Sequence, residues 1–345
     1  MATNTAAWHN AEKSSPFEVR SAPLWTPGEN EILVRNRAIA INPIDSNLQA
    51  TPDPRWSVEY PMKYPMILGS DIAGVVIAVG PKVTRFKEGD RVLGHGVGMF
   101  LREPQGCAFQ AHTIVRTNMA SEIPDSISFE SASVIPLGFS TAACGLFQDN
   151  FLGLQLPTVP SQKQTGKTLL IWGGASSVGS NAIQLAVAAG YEVIATASEK
   201  NFNYVKNLGA SQVFDYHRTT ISADLVGALS GKTLAGALDC IGKEAWGYCM
   251  DVVHMSSGNK FIATTKRGYP HPPDGVRIEP IMGITLKDND IGVAVYEHFL
   301  PKALEAGSFV PAPEAFVAGQ GLESLQDAVD IYRKGTFAKK VVVLL

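Results

Sequence analysis

The sequence predicts an α/β protein that combines a parallel, doubly wound sheet with a second, β-rich region. Three observations predict this fold. A strand, a glycine-rich turn, a helix and a second strand follow one another between residues 167 and 200. Helical and strand-like segments then alternate as far as residue 264. The first 137 residues, by contrast, contain many short strands separated by glycine and proline.

The β-rich region has the pattern of a barrel-like domain. Residues 42–45, Asn-Pro-Ile-Asp, have the composition of a turn whose side chains point into a cleft. Residues 99–106 are predicted to form a loop. Strands are predicted at Glu31–Arg35, Ala38–Ile41, Ile72–Val79 and Cys107–Val115.

The segment 167–200 has the pattern of a dinucleotide-binding βαβ unit. Thr168–Trp172 is a short apolar run typical of a buried parallel strand, and Tyr191–Ala197 is a second strand rich in β-branched residues. Between them, small and aliphatic residues follow helical spacing until Gly190. A pyrophosphate binds a helix N-terminus only where small residues leave the backbone N–H groups accessible. The unit therefore predicts a dinucleotide site.

The glycine turn departs from G-x-G-x-x-G at its middle position. Gly174 and Gly179 fit the outer glycines, and Ser176 replaces the middle one. Its hydroxyl is small and can donate to a phosphate oxygen, so the chemistry of the motif is kept. The alternative is a tight turn that binds nothing, which the flanking strands and helix disfavour. The predicted contacts are Gly174, Ala175, Ser176, Ser177, Val178 and Gly179.

Downstream of this unit the alternation continues. Residues 154–166 and 267–275 are rich in proline and are predicted to be loops. The predicted helices and strands are 136–147, 201–208, 212–214, Ile221–Leu229, 236–239, 260–264, 290–305 and 321–333.

Composition excludes several classes of protein. The chain has 345 residues, with 45% hydrophobic and 18% charged residues, which is ordinary for a globular protein and not for a disordered one. A net charge of −3 gives no case for nucleic acid or acidic membranes as partners. No apolar run reaches the about 18 residues that span a bilayer, and the N-terminal residues lack a secretory pattern, so we expect a cytoplasmic protein. The four cysteines form no C-x-x-C pair and are predicted to be buried thiols.

Several separate stretches resemble the medium-chain dehydrogenase/reductase superfamily. They are 42–45, 68–76, 89–92, 173–179 and 321–343. The turn at 42–45 resembles the quinone reductase branch, and 202–216 resembles fungal zinc-binding-dehydrogenase-like proteins, which include trans-acting enoyl reductases of polyketide pathways in secondary metabolism. The resemblance implies a GroES-like domain of residues 1–137 and 290–345 and an inserted Rossmann domain of residues 138–289. The alternation of helices and strands starts and stops at these boundaries.

The resemblance also indicates whether the protein has a zinc site. Zinc-dependent members carry a cysteine in the turn at 42–45 and a His-Glu pair where this chain has Ser70 and Asp71. Zinc needs about three converging N, S or O ligands, and Asp45 and Asp71 offer carboxylates alone. We therefore expect no metal.

The same family pattern favours NADPH over NADH. An NAD enzyme places an acid at the end of the second strand, where this chain has Thr196. Ser198 and Lys200 can donate to a 2′-phosphate, and Tyr216 matches a position where related enzymes add a phenol. Lys200 as a solvated lysine and Tyr216 as a packing aromatic are the alternatives. Glu199 argues against a phosphate, although it lies beyond the discriminating position.

The resemblance assigns the catalytic positions to Asn42, Asp45 and Thr141, and the nicotinamide pocket to the backbone around Ile241. Asn42 would donate to a carbonyl or hold water, and Thr141 would touch the nicotinamide side. Asp45 would orient them or cap its own turn. Relatives carry a proton-donating tyrosine or lysine where this chain has Asn47 and Leu48, so no proton donor is assigned.

The expected activity is NADPH-dependent reduction of an activated C=C bond, in an enone or enoyl thioester, or of a quinone. The substrate would be a small molecule or a carrier-bound α,β-unsaturated chain, and the protein a monomer or homodimer. Two alternatives stay open: a zinc-free carbonyl or alcohol oxidoreductase, and a nucleotide-binding member used for non-redox catalysis or regulation.

Overall fold

The computed structural model describes residues 3–50 and 63–345, which form two compact units. The first contains Met1–Leu137 and Val310–Leu345, and the second contains Gly138–Phe309. The sequence assigned residues 290–309 to the first unit, and the structure corrects this. Phe139 makes edge contacts with Tyr296 and Phe309, at centroid distances of 5.1 and 5.7 Å, so aromatic packing holds this helical segment to the second unit.

The first unit is a β-rich, GroES-like domain, as predicted. Its strands are β1 (Asn4–His9), β2 (Glu18–Ala22), β3 (Glu31–Ala40), β4 (Met66–Ile67), β5 (Asp71–Val79), β6 (Arg91–His95), β7 (His112–Arg116), β8 (Ala120–Glu122), β15 (Glu314–Gln320) and β16 (Lys339–Leu344). Its helices are Pro43–Ala50, Gly98–Leu101, Phe129–Ser133 and Leu325–Lys334, with 3₁₀ turns at Pro104–Gly106, Thr117–Met119 and Leu322–Ser324.

One sheet joins the two ends of the chain. Its strand order is β15-β16-β3-β5-β6-β8, and β7 also pairs with β3. The C-terminal β16 runs antiparallel to β3, whose apolar residues Ile32, Val34 and Ile39 are fully buried. A smaller sheet has the order β2-β1-β4. The core of the unit therefore needs strands from both ends of the sequence.

The predicted turn at 42–45 is the start of a helix. Pro43 occupies the first position of Pro43–Ala50, where its fixed φ and missing N–H are tolerated. The Asp45 carboxylate accepts the Asn42 backbone N–H at 2.8 Å, which satisfies an otherwise unpaired donor. The predicted loop 99–106 likewise contains a helical turn, Gly98–Leu101, and a 3₁₀ turn.

The second unit is a Rossmann-type domain. Its strands are β9 (Lys167–Trp172), β10 (Glu192–Ala197), β11 (Gln212–Asp215), β12 (Thr233–Asp239), β13 (Phe261–Thr264) and β14 (Arg277–Pro280). All pairs are parallel, in the order β11-β10-β9-β12-β13-β14, so the predicted doubly wound sheet is confirmed. Helices lie at Pro136–Phe147, Ser177–Ala188, Phe202–Asn207, Ile221–Leu229, Glu244–Met255, Asp290–Gly292 and Leu300–Glu305.

Two features of this unit differ from the sequence-based prediction. The helix Glu244–Met255 was not predicted, because glycine and aromatic residues interrupt its helix-forming residues. The segment Val293–Phe299, predicted as ordinary helix, is a π-helix. Across residues 3–50 and 63–345, no helix combines the length and the apolar character needed to cross a membrane.

Candidate functional site

The glycine turn after β9 is tied to the neighbouring strand β10. Gly173 has φ +85°, a conformation that favours glycine. Its N–H donates to the Thr196 hydroxyl at 3.0 Å, and the Gly174 N–H donates to the Thr196 carbonyl at 2.8 Å. Thr196 is fully buried. The small residue at the end of β10 therefore holds the turn in place.

The Ser176 hydroxyl serves the turn itself. It caps the helix Ser177–Ala188 by accepting the Gly179 N–H at 3.0 Å, and it lies within donating distance, 2.8 Å, of the Gly173 carbonyl. Its contact with a phosphate oxygen stays a prediction. Ser176 replaces glycine as a helix cap, which also rigidifies the turn.

Three backbone donors of the turn are left for a ligand. Among the described residues, the N–H groups of Ala175, Ser177 and Val178 have no hydrogen-bond partner. Ser177 and Val178 lie in the first turn of a 12-residue helix, where the macrodipole favours an anion, and Ala175 precedes the N-cap residue of that helix. A Cβ on Gly179 would lie 2.2 Å from the Gly173 carbonyl oxygen, so only glycine fits there. A cradle of backbone N–H groups of this kind can hold a phosphate group.

The loop after β12 lies against this cradle. Ile241 contacts Gly173 so closely that a Cβ on Gly173 would lie 2.6 Å from its side chain. Ile241 is 44% exposed, so its apolar side chain is accessible at this edge of the sheet. The predicted positions 173–179 and 241 therefore come together at the carboxyl edge of β9 and β12.

Asp239 shapes this loop from the interior. It is fully buried, and its carboxylate accepts the N–H groups of Ile241 (2.9 Å) and Gly242 (3.0 Å). It also accepts the Thr264 hydroxyl at 2.7 Å. Neither Asp239 nor Thr264 is predicted from the sequence as a site residue. The available signal was an acidic residue that closes an otherwise apolar buried strand.

The residues predicted to choose the cofactor follow β10 and β11, which are neighbours. Ala197 pairs with Asp215, so the two strand ends lie side by side. Ser198 starts a 3₁₀ turn, and Lys200 in that turn is exposed. Tyr216 is 41% exposed. The Asp215 carboxylate is 2.8 Å from the His217 ring nitrogen, so this acid already has a hydrogen-bond partner.

Thr141 is half-buried on the helix Pro136–Phe147. Gly283 packs directly against it, and a Cβ there would lie 2.9 Å from the Thr141 backbone nitrogen and 3.0 Å from its hydroxyl. A larger residue at 283 would cover Thr141. The neighbouring Ser140 hydroxyl bonds to Tyr296 at 2.7 Å, which anchors the helix from its buried side.

In the first unit, Asn42 and Asp45 belong to a buried polar cluster of Asn42, Asp45, Asp71 and Lys340. Asn42 is 1% exposed and Asp45 is fully buried. The Asn42 amide donates to Asp71 at 2.9 Å and accepts from the Lys340 ammonium. We expect from the sequence that both side chains face a cleft. In the structure, most of their hydrogen bonds are made to other groups inside the unit.

Lys340 and Asp71 supply the charges of this buried cluster. Their nitrogen and oxygen are 3.1 Å apart, and the side chains are 4% and 0% exposed. Asp71 also accepts the Leu137 N–H at 2.7 Å. Burial raises the pKa of Asp45 to about 7, with the Asp71 charge adding to this. Burial lowers the pKa of His95, which is paired with Asp71 across β5 and β6, to about 4.

The buried polar cluster does not fit a zinc ion. No group of three His, Cys, Asp or Glu side chains suited to a metal occurs in the part of the chain that the structure describes. The resemblance aligns Ser70 and Asp71 with the His and Glu of zinc-dependent enzymes. Here the Asp71 carboxylate already bonds to the Lys340 ammonium, the Asn42 amide and the Leu137 N–H, so it is not a free metal ligand.

Comparisons with known proteins agree with this geometry. The family described as alcohol dehydrogenase GroES-like domain matches residues 28–125, and the family described as zinc-binding dehydrogenase matches residues 177–265. The zinc-binding alcohol dehydrogenase domain-containing protein cipB of Emericella nidulans is 55% identical over 342 residues, covering 99% of this chain and 98% of the relative. The trans-enoyl reductase himH of Aspergillus japonicus is 38% identical over 344 residues, covering 99% of this chain and 97% of the relative.

A solved structure gives the same fold. The crystal structure of CurK enoyl reductase has a TM-score of 0.76 at 21% identity, and 99% of each chain is covered. At that identity the likeness concerns the arrangement of the elements, including the β-rich domain and the parallel sheet.

Proposed function

This chain belongs to the medium-chain dehydrogenase/reductase superfamily of nicotinamide-dependent oxidoreductases, and we propose that it is an NADPH-dependent, zinc-independent reductase of activated C=C bonds or quinones. The main support is the phosphate cradle of Ala175, Ser177 and Val178, whose N–H groups have no partner among the described residues. A trans-enoyl reductase among the relatives makes an enone or enoyl thioester the preferred substrate class. The thioester would arrive as a small molecule or bound to a carrier.

The cofactor specificity rests on charge at the ends of β10 and β11. Ser198 and Lys200 would hold the 2′-phosphate through a hydroxyl and an ammonium, and Tyr216 would cover it with its phenol. Thr196 supports this choice, because a buried threonine replaces the acid that binds a free ribose 2′-hydroxyl. The cradle of Ala175, Ser177 and Val178 would hold the pyrophosphate of either cofactor.

The reduction needs a held nicotinamide and a stabilised negative charge on the substrate oxygen. NADPH supplies the hydride when it is bound. Ile241 and Thr141 would line the nicotinamide side of the site. The Asn42 amide has a second hydrogen besides the one bonded to Asp71, and it would donate this hydrogen to the substrate carbonyl oxygen. Asp45 would hold the Asn42 backbone in position, which its 2.8 Å bond to the Asn42 N–H supports.

The test is NADPH oxidation by the purified protein, freed of metal by a chelator, against matched enones, enoyl thioesters and quinones. We expect turnover with at least one of these classes, at a kcat/KM at least tenfold higher with NADPH than with NADH. Equal activity with both cofactors would contradict the specificity. Tight NADPH binding without turnover of any of the three classes, or of aldehydes and alcohols, would contradict the proposed reductase.

A further inference from the structure

Lys340 occupies an unusual place for a lysine. It is the second residue of β16, followed by four apolar residues, and it is 4% exposed. Lysine is rarely buried to this extent without a compensating partner. Here the ammonium has two: the Asp71 carboxylate at 3.1 Å and the Asn42 amide oxygen. The neighbouring Lys339 is a useful comparison, because it is exposed on the same strand and pairs with Glu314 at 3.6 Å.

Strand register brings these distant residues together. Val342 of β16 pairs with Ala40 of β3, and continuing this antiparallel register places Lys340 opposite Asn42. Ala40 in turn pairs with Asp71 of β5. The three side chains therefore meet at one end of the sheet, and the Asn42 amide bonds to both charges, so its orientation is fixed from two sides.

We propose that Lys340 is a positioning residue for the reaction: its ammonium orients the Asn42 amide and neutralises the Asp71 carboxylate. The kinetic part of this inference rests on the proposed reductase activity, and the stability part does not.

The experiment compares Lys340→Met, Asp71→Asn, the double variant and the control Lys339→Met. Removing the ammonium leaves a buried carboxylate without its partner, so Lys340→Met should lower Tm by roughly 10 °C. Adding Asp71→Asn should recover at least half of that loss, because the uncompensated charge is then gone. Lys339→Met should change Tm by less than about 2 °C.

Kinetics distinguish positioning from a structural role alone. At a temperature where all variants are folded, Lys340→Met should lower kcat at least tenfold with the KM for NADPH unchanged, because the cofactor cradle lies in the other unit. The double variant should recover Tm and not kcat. A Lys340→Met protein as stable and active as Lys339→Met would overturn the inference, as would full recovery of kcat in the double variant. If the wild type shows no reductase activity, the proposed function fails, while the Tm comparison still tests the ion pair.

Discussion

The Thr264 hydroxyl donates to the Asp239 carboxylate at 2.7 Å, and the same carboxylate holds the backbone of Ile241 and Gly242. One buried acid therefore joins β13 to the loop that lies against the glycine turn. Trp246 adds to this arrangement by donating its indole N–H to Thr264 at 3.2 Å. The shape of the proposed nicotinamide pocket thus depends on a fully buried carboxylate.

Replacing Asp239 should disturb both stability and cofactor binding. Asp239→Ala leaves three donors without an acceptor, and we expect it to lower the free energy of unfolding by about 3 kcal/mol. NADPH affinity should fall with it. Thr264→Ser is the matched variant: it keeps the hydroxyl that bonds to Asp239 and Trp246 and loses one buried methyl, so it should cost about 1 kcal/mol. Urea unfolding and fluorescence titration measure the two effects. Equal costs for the two variants would show that the loop is not held as described.

Gly179→Ala should abolish cofactor binding. The new Cβ would lie 2.2 Å from the Gly173 carbonyl oxygen, so the turn must move and the cradle of N–H groups is lost. Gly227→Ala is the matched control, because that glycine lies in the helix Ile221–Leu229 with open space around it. It should stabilise the protein by about 0.5–1 kcal/mol and leave the Kd for NADPH unchanged. Unaltered NADPH binding by Gly179→Ala would contradict the proposed cradle.

Lys200→Ala should discriminate between the two nicotinamide cofactors. Loss of one charge-assisted bond to a 2′-phosphate should raise the Kd for NADPH by about tenfold. The Kd for NADH should not change. Lys206→Ala, an exposed lysine of the neighbouring helix Phe202–Asn207, controls for a general loss of positive charge. A similar weakening of both cofactors would place Lys200 away from the 2′-phosphate.

Asp45 and His95 should have opposite effects on the pH dependence of stability. The pKa of Asp45 is raised to about 7, so the folded protein binds the extra proton and its stability falls as pH rises from about 4 to 7. The pKa of His95 is lowered to about 4, so the unfolded chain binds the extra proton and stability rises with pH between about 4 and 6.5. In the wild type these two slopes nearly cancel.

Single substitutions should expose each slope. Asp45→Asn should leave stability rising between pH 4.5 and 6.5, and His95→Asn should leave it falling, each by roughly 1.4 kcal/mol per pH unit at most. Asp125→Asn, at a residue whose side chain is 98% exposed, should change neither slope. Urea unfolding at several pH values measures this. Parallel slopes in the two buried variants would show that these groups do not titrate in this way.

The elements that were predicted well are those specified by local pattern. Ile221–Leu229 and the strand–turn–helix order at 167–188 follow from apolar periodicity and glycine placement. The buried polar cluster could not be predicted, because Asn42 and Lys340 are 298 residues apart and meet only through sheet register. For the same reason, Asn42 was expected to face a cleft when its neighbours in space were unknown.

Ser176 illustrates a second limit of sequence. The pattern showed that a small polar residue was acceptable at that position, but a hydroxyl suits both a phosphate and a helix cap. Only the geometry of Gly173 and Gly179 shows that the hydroxyl is used inside the turn.

The pairing of β3 with β16 also determines which unit can complete its sheet first during synthesis. All of Gly138–Phe309 leaves the ribosome before Lys339–Leu344, so the inserted unit can complete its sheet first. Until Lys339–Leu344 emerges, β3 lacks the partner for Ala38–Ala40, and that part of its edge stays open to other chains. A premature stop within the final strand would therefore damage the part of the protein that was translated first.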